Sequence, residues 1–297
     1  MADDTRKDDF DPDQGHGDHI ECAYDGAPSQ FAVLWLTKAA RDGDLIGKTR
    51  EPVANGLGDG FPQKTNAFLL GPLSTPLRAV VLIAEKAPRD NIVVSGYPEC
   101  AGTAVKVRLT AVHEWSNGLE ATLEGTVLDG ARKIAFFDTR YALHKQDYAV
   151  GSEYIFNLAA LAYEAKILAE EQRWFKLEGD EARDWMERIG SKISFEPERD
   201  DAGQVKCVKM DMSGMVAYFT GPAAYPDDCE FQSPAFGIPE EIEAFDLAFY
   251  HFPIAIARDE NDVLVPLFAK KSLFARLPTK NDPIRGRLWL QGFIKEN

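Results

Sequence analysis

The amino-acid sequence predicts a mainly β protein with a short helical insert, in which small β-barrel modules stand in tandem. Three observations lead to this fold class. Most apolar residues fall in short runs rich in Val, Ile, Leu and Phe, with Gly, Pro or Asn close by, which is typical of strands. Asn-Gly and Asp-Gly pairs separate several of these runs and favour hairpins. A helical period is confined to the middle of the chain.

The N-terminal third combines a polar tail with the first strands. Residues 1–27 are rich in Asp and Gly and have few large apolar side chains, so we expect a disordered acidic tail. The stretch 41–65 holds five glycines and two prolines, which indicates a long loop. The predicted strands of this region are residues 30–36, 67–73, 79–85 and 91–95.

The next segment, residues 97–163, continues in strands. Between 104 and 112 apolar side chains alternate with Lys106, Arg108 and Thr110, a period of two residues. Asn-Gly and Asp-Gly turns at 117–118 and 129–130 then separate further apolar runs. This segment is predicted to form a β-meander or a small barrel.

A change of period indicates the helical insert. Leu161, Ala165, Leu168 and Phe175 recur at helical spacing, which predicts a helix over 160–176. A second helix is expected over 180–189, with Asp180 as a candidate N-cap. Strand-like runs return from Val205 to the end of the chain.

The chain also repeats one order of features. Tyr97-Pro98-Glu99-Cys100 is echoed by the segment 225–229, Tyr-Pro-Asp-Asp-Cys. About forty residues after each motif an apolar strand ends in Phe, at Phe137 and at Phe268, and a polar-aromatic segment, a turn and a closing apolar run follow. The order and spacing match, although few residues are identical, so an internal duplication is a hypothesis.

This order of elements resembles the five-stranded oligonucleotide/oligosaccharide-binding (OB) barrel over residues 97–163 and 225–295. The resemblance implies a binding face on the second and third strands and the adjoining loops, for nucleic acid, sugars or proteins. A lipocalin-like barrel or a sandwich is the alternative. The expected organisation is an acidic disordered tail (1–27), an N-terminal β region (28–96), a first OB-like module (97–163), a helical connector (164–204) and a second OB-like module (205–297).

Composition and charge narrow the class of protein. The 297 residues carry 48 acidic and 33 basic side chains, a formal net charge of −15, and their apolar content excludes a disordered or collagen-like chain. The acidic groups are concentrated in residues 1–22 and 227–246, whereas 270–287 holds six basic residues and one acidic residue. The acidic total therefore includes one basic segment.

The cysteines and the apolar runs bear on location. Cys22, Cys100, Cys207 and Cys229 form no closely spaced pair, which predicts reduced and mostly buried thiols. No secretory signal pattern opens the sequence, and the longest uncharged run is too short for a membrane span. We expect a cytoplasmic protein without a membrane partner.

No catalytic, cofactor or metal motif is assembled in the sequence. His16, His19 and Cys22 are ligand-type residues, but they lie in the predicted tail. The glycine-rich stretch 55–60 is followed by Phe-Pro, without the helix that a phosphate-binding loop requires. We therefore predict no catalytic residue, no metal site and no cofactor.

The strongest candidate binding residues combine cations with aromatic rings, as a single-stranded nucleic-acid groove requires. The alternative is a solvated hairpin with its rings in the core and its charges outward, where the acidic segment 227–246 neutralises the cations. The candidates are Lys270, Lys271, Phe274, Arg276, Lys280, Arg285, Arg287 and Trp289 in the second half, with Arg140, Tyr141 and Lys145 in the first.

The sequence favours a non-catalytic macromolecular binding protein, with another protein as the partner recognised by the β modules and their charge asymmetry. One alternative is single-stranded nucleic-acid binding through residues 270–289. Another is a carbohydrate or small-molecule enzyme with its site beneath the 41–65 loop.

Overall fold

A computed structural model describes residues 51–54, 65–70, 76–87, 90–114, 120–128, 132–189, 197–220, 226–244, 247–258 and 261–295. The predicted acidic tail and the predicted strand at 30–36 lie outside these residues, as does most of the 41–65 loop. Within that loop the structure has a short strand, Glu51–Ala54.

The described chain is mostly strand, which confirms the predicted mainly β class. The helices are α1 (Tyr141–His144) and α2 (Gly179–Ile189), and short 3-10 helices lie at Glu170–Arg173 and Lys271–Leu273. The strands are β1 (Glu51–Ala54), β2 (Thr65–Leu70), β3 (Leu77–Ala87), β4 (Asp90–Cys100), β5 (Thr103–Glu114), β6 (Ala121–Val127), β7 (Lys133–Asp138), β8 (Glu153–Ile167), β9 (Trp174–Glu178), β10 (Glu198–Arg199), β11 (Val205–Asp211), β12 (Ala217–Thr220), β13 (Asp228–Pro234), β14 (Glu240–Ala244), β15 (Leu247–Arg258), β16 (Asp262–Lys270) and β17 (Pro283–Ile294).

Five strands close into a barrel, as the fold class predicted. β6 pairs antiparallel with β5 and β7, and β8 pairs antiparallel with β5 and β17. The ring closes where β7 and β17 pair in parallel, at Phe137 with Gln291. The closing strand therefore comes from the C-terminal end of the chain.

The second half repeats part of this pairing order. β17 pairs antiparallel with β13, β15 with β16, and β16 runs parallel to β8. β13 and β15 approach each other where the Ala255 amide donates to the Ser233 hydroxyl at 2.9 Å. β8 and β17 thus belong to both halves, and strand pairing crosses the predicted boundary between the modules. The duplication itself stays a prediction.

The shared strands are buried on both sides. Along β8, Leu158 and Ala160 lie in the core inside the barrel, whereas Ala159 and Leu161 lie in a second core that also contains residues of β3 and β4. β3 and β4 belong to the N-terminal sheet, whose order is β1-β2-β3-β4. This sheet therefore contributes to burial of the outer side of the barrel wall.

Burial on both faces explains the one wrong helix. The segment 160–176 contains the end of β8, a 3-10 helix and the start of β9, although a helix was predicted there. A strand with two apolar faces is a continuous apolar run, so the helical spacing of Leu161, Ala165 and Leu168 arises there without a helix. The helix predicted at 180–189 is present as α2. The connector also contains β9 and β10, which form a three-stranded sheet with β11.

Candidate functional site

Two predicted binding cations form ion pairs with carboxylates. The Lys271 ammonium lies 2.7 and 2.9 Å from the two carboxylate oxygens of Glu241, in the acidic segment 227–246. The Arg276 guanidinium makes two hydrogen bonds to Asp282, at 2.6 and 2.9 Å. Arg276 together with Thr279 lowers the pKa of the Asp282 carboxyl to about 2. Both cations are therefore engaged within the fold.

The other predicted cations of this half differ in how exposed their side chains are. Lys270 is half-buried at the end of β16, whereas Lys280 and Arg285 are exposed. The Arg287 guanidinium is 3.6 Å from the Glu164 carboxylate on the neighbouring strand. An ion pair at this distance and exposure contributes little to stability.

The aromatic side chains of the same segment are buried. Phe274 is 9% exposed and packs against Tyr250 in the barrel core, with ring centroids 5.9 Å apart. Trp289 is fully buried in the second core and donates its indole N–H to the Asp227 carboxylate at 2.8 Å. Neither ring offers a surface on which a base could stack. The structure thus separates the rings of segment 270–289 from its exposed cations.

The candidates in the first half are also engaged in contacts. Arg140 donates two hydrogen bonds of 2.9 Å to the Glu99 carboxylate. The Tyr141 hydroxyl donates to Glu114 at 2.9 Å, and the Lys145 ammonium lies 3.4 Å from the same carboxylate. These three side chains connect α1 and its flanks to β4 and β5.

Glu99 is the centre of a buried ion cluster that the sequence did not predict. Its carboxylate is 1% exposed and accepts hydrogen bonds from Thr139 at 2.9 Å and Arg78 at 3.3 Å, besides those from Arg140. The Tyr97 hydroxyl donates to the Thr139 carbonyl at 2.9 Å. The repeated Tyr-Pro-Glu-Cys motif was the only available signal, because nothing local shows that β4 meets the end of β7.

A second buried acid lies next to this cluster. Asp138 is fully buried, and this burial raises the pKa of its carboxyl to about 6. The Tyr148 hydroxyl donates to it at 2.5 Å, and the Arg140 amide donates at 2.9 Å. Because the carboxyl is enclosed, these contacts support a role in joining the α1 segment to the barrel. The part of the chain with described side chains contains no group of three or more candidate metal ligands.

A further accessible charged element is the strand that ends the large sheet. Among the described strands, β14 pairs with β15 alone. Its acidic side chains point into solvent, with Glu240 77% and Glu241 49% exposed, and Glu243 is exposed as well. Ile242 is half-buried against the second core. β14 therefore presents a backbone edge lined by carboxylates.

The opposite end of this ten-stranded sheet is β12. There the Arg132 guanidinium donates to the Tyr218 carbonyl, so one backbone acceptor of that strand is already occupied. β14 is the better candidate for adding a further strand.

Comparisons with protein-family models, curated proteins and solved structures found no match to this chain. Among the helices that the structure describes, none is long and apolar enough to cross a membrane.

Proposed function

We propose that this protein is a non-catalytic recognition protein that binds a basic, extended segment of another protein at the β14 edge. The observation that carries the proposal is the position of β14 at the end of a ten-stranded sheet with exposed glutamates along it. An exposed strand edge can hydrogen-bond to the backbone of an added strand, and its side chains then set the specificity.

The charge of the edge selects the partner. Glu240 and Glu243 would repel the same edge of a second copy, so like-charge repulsion disfavours pairing between copies, whereas Glu241 is already paired with Lys271. A strand bearing Lys or Arg meets no such repulsion and gains modest attraction from each contact. The formal net charge of −15 also favours a cationic partner, because long-range attraction speeds its association.

The test uses the full chain and two peptides of equal length, one alternating Lys with Val and one alternating Glu with Val. Fluorescence anisotropy should detect binding of the basic peptide and none of the acidic one. Glu240→Lys combined with Glu243→Lys should weaken binding roughly tenfold, because each reversal replaces attraction by repulsion. Glu181→Lys combined with Glu187→Lys, on exposed positions of α2, is the control with the same change in net charge.

Proline scanning separates strand addition from simple charge attraction. Backbone N–H groups alternate in direction along a strand, so Glu240→Pro and Glu241→Pro remove donors of opposite direction. The variant that removes an N–H pointing away from β15 should abolish binding with little loss of stability. The variant that removes an N–H pointing toward β15 should destabilise the β14–β15 pair. Binding that survives both, or that falls equally in the α2 control, contradicts the proposal.

A further inference from the structure

The sheet β10-β11-β9 and helix α2 form a small unit, the arm, between β8 and β12. α2 packs on one face of this sheet. Phe175 of β9 faces Trp185 of α2, with ring centroids 6.3 Å apart, and Ala182 and Val208 are fully buried. One face of the arm sheet therefore has its own apolar packing.

The other face of the arm sheet is exposed except at Cys207, which lies opposite Glu178 and is buried, and we call it the open face. Residues two apart on a strand share a face, so Trp174, Lys176 and Glu178 of β9 lie together. The register places Asp211 of β11 opposite Trp174, and Lys209 opposite Lys176. All five side chains are exposed, with Trp174 at 39%.

Two lysines directly opposite each other are unfavourable in an antiparallel pair. The structure eases the repulsion between Lys176 and Lys209 by turning their ammonium groups to different partners. The Lys176 ammonium lies 2.5 Å from Glu178, and the Lys209 ammonium lies 4.2 Å from the centre of the Trp174 ring. An anion placed between the two lysines would replace repulsion by attraction to both.

We propose that the open face binds single-stranded nucleic acid, with one base stacked on Trp174 in place of the Lys209 ammonium and a phosphate between Lys176 and Lys209. An exposed aromatic ring beside cations is the combination that such binding uses, since stacking is available to every base. Trp174 and Lys176 are about 7 Å apart along the strand, comparable with the distance from a base to the phosphate of its own nucleotide. An acidic peptide would meet the lysines but leave the ring without a stacking partner.

The acidic groups nearby set the strength of this binding. Glu178 and Asp211 share the open face; Glu178 is paired with Lys176, and the Asp211 carboxylate accepts the Ser213 amide at 2.8 Å. The acidic residues of α2 lie on the other side of the sheet, and charges about 10 Å away are largely screened at 0.1 M salt. Two lysine contacts predict weak binding whose logarithmic salt slope is about −1.4.

The test measures the anisotropy of a fluorescein-labelled 15-nucleotide oligo-dT with the full chain at 50 and 150 mM salt. Trp174→Ala should weaken binding about 5- to 100-fold, the range that loss of one stacked base produces. Trp174→Phe keeps a ring and should retain most of the affinity. Lys176→Gln combined with Lys209→Gln should weaken binding and bring the salt slope close to zero.

The control is Lys280→Gln combined with Arg285→Gln, which removes two exposed cations of the predicted segment 270–289 and should leave binding unchanged. Thermal unfolding followed by circular dichroism checks that each variant is folded. The proposal is overturned if the unmodified chain does not bind at 50 mM salt, if Trp174→Ala binds as well as the unmodified chain, or if the control loses binding equally. Displacement of oligo-dT by an oligo-glutamate peptide at equal concentration would also overturn it, because the face would then recognise charge alone. The β14 edge takes no part in this assay.

Discussion

Gly286 of β17 lies close against the backbone of β8, the other shared strand. A Cβ atom at this position would be 1.8 Å from the Glu164 carbonyl oxygen, 2.6 Å from its carbonyl carbon and 2.9 Å from the Ala165 Cα. All three atoms are backbone, so no side-chain rotation relieves the contact. In Gly286→Ala the β8 and β17 strands of the barrel must separate by more than 1 Å.

Overpacking a well-packed site costs about 1–3 kcal/mol, and we expect the upper end here because backbone must move. A loss of about 3 kcal/mol lowers the midpoint of thermal unfolding by roughly 5 °C in a protein of this size. Differential scanning calorimetry of the full chain measures this shift directly.

Gly214→Ala is the matched control, because a Cβ there meets no atom within 4 Å. Both substitutions reduce the entropy of the unfolded chain by similar amounts, so the difference between their midpoints isolates the contact in the folded state. Equal midpoints for the two variants would refute the argument that β8 and β17 require glycine at this close approach.

Three other substitutions test the buried charges. Arg140→Met leaves the Glu99 carboxylate without its closest cation and should lower the free energy of unfolding, measured in urea, by about 3 kcal/mol. Adding Glu99→Gln to this variant should recover part of that loss. A still larger loss in the double variant would argue against the ion pair. The pKa of Asp138, about 6, exceeds its ordinary value, so the folded state holds this proton more tightly than the unfolded state. The contribution of Asp138 to the free energy of unfolding is greatest below about pH 4, and about 3 kcal/mol of it is lost as the pH rises through 6. Asp138→Asn should flatten this part of the plot of stability against pH. An unchanged slope would contradict the assignment. The pKa of Asp282, about 2, is shifted the other way, so its contribution to the free energy of unfolding is present above about pH 4 and is lost as the pH falls through 2. Asp282→Asn should therefore destabilise the protein at pH 7 and have little effect at pH 2. Equal destabilisation at both pH values would show that the ion pair with Arg276 is not the cause.

Strands and hairpins were predictable because their signals are local. The alternation at 104–112 corresponds to β5, and the apolar runs at 79–85 and 91–95 lie within β3 and β4. Turn residues and a period of two act over a few neighbours, so they can be read without knowledge of the fold. The helix predicted over 160–176 is wrong, because β8 has buried residues on both faces and its apolar pattern does not separate a strand from a helix.

The candidate sites depended on contacts between distant segments. The sequence showed cations and rings together in 270–289, but Trp289 points into the second core and Lys271 is paired with Glu241. The sequence does not predict the contact of Trp174 with Lys209, because these residues come together only when β9 pairs with β11. Neither the burial and ion pairing within 270–289 nor the Trp174–Lys209 contact is visible in the neighbouring sequence.

The sequence by itself determined the mainly β character of the chain, helix α2 and the separation of acidic from basic segments, because propensity, period and charge are properties of neighbouring residues. Only the tertiary structure decided that β17 closes the barrel of β5 to β8, that Glu99 meets Arg140, and which charged groups remain exposed. The physical reason is that strand pairing and burial depend on both faces and both edges of each strand, and the segments that cover them lie far apart in the chain.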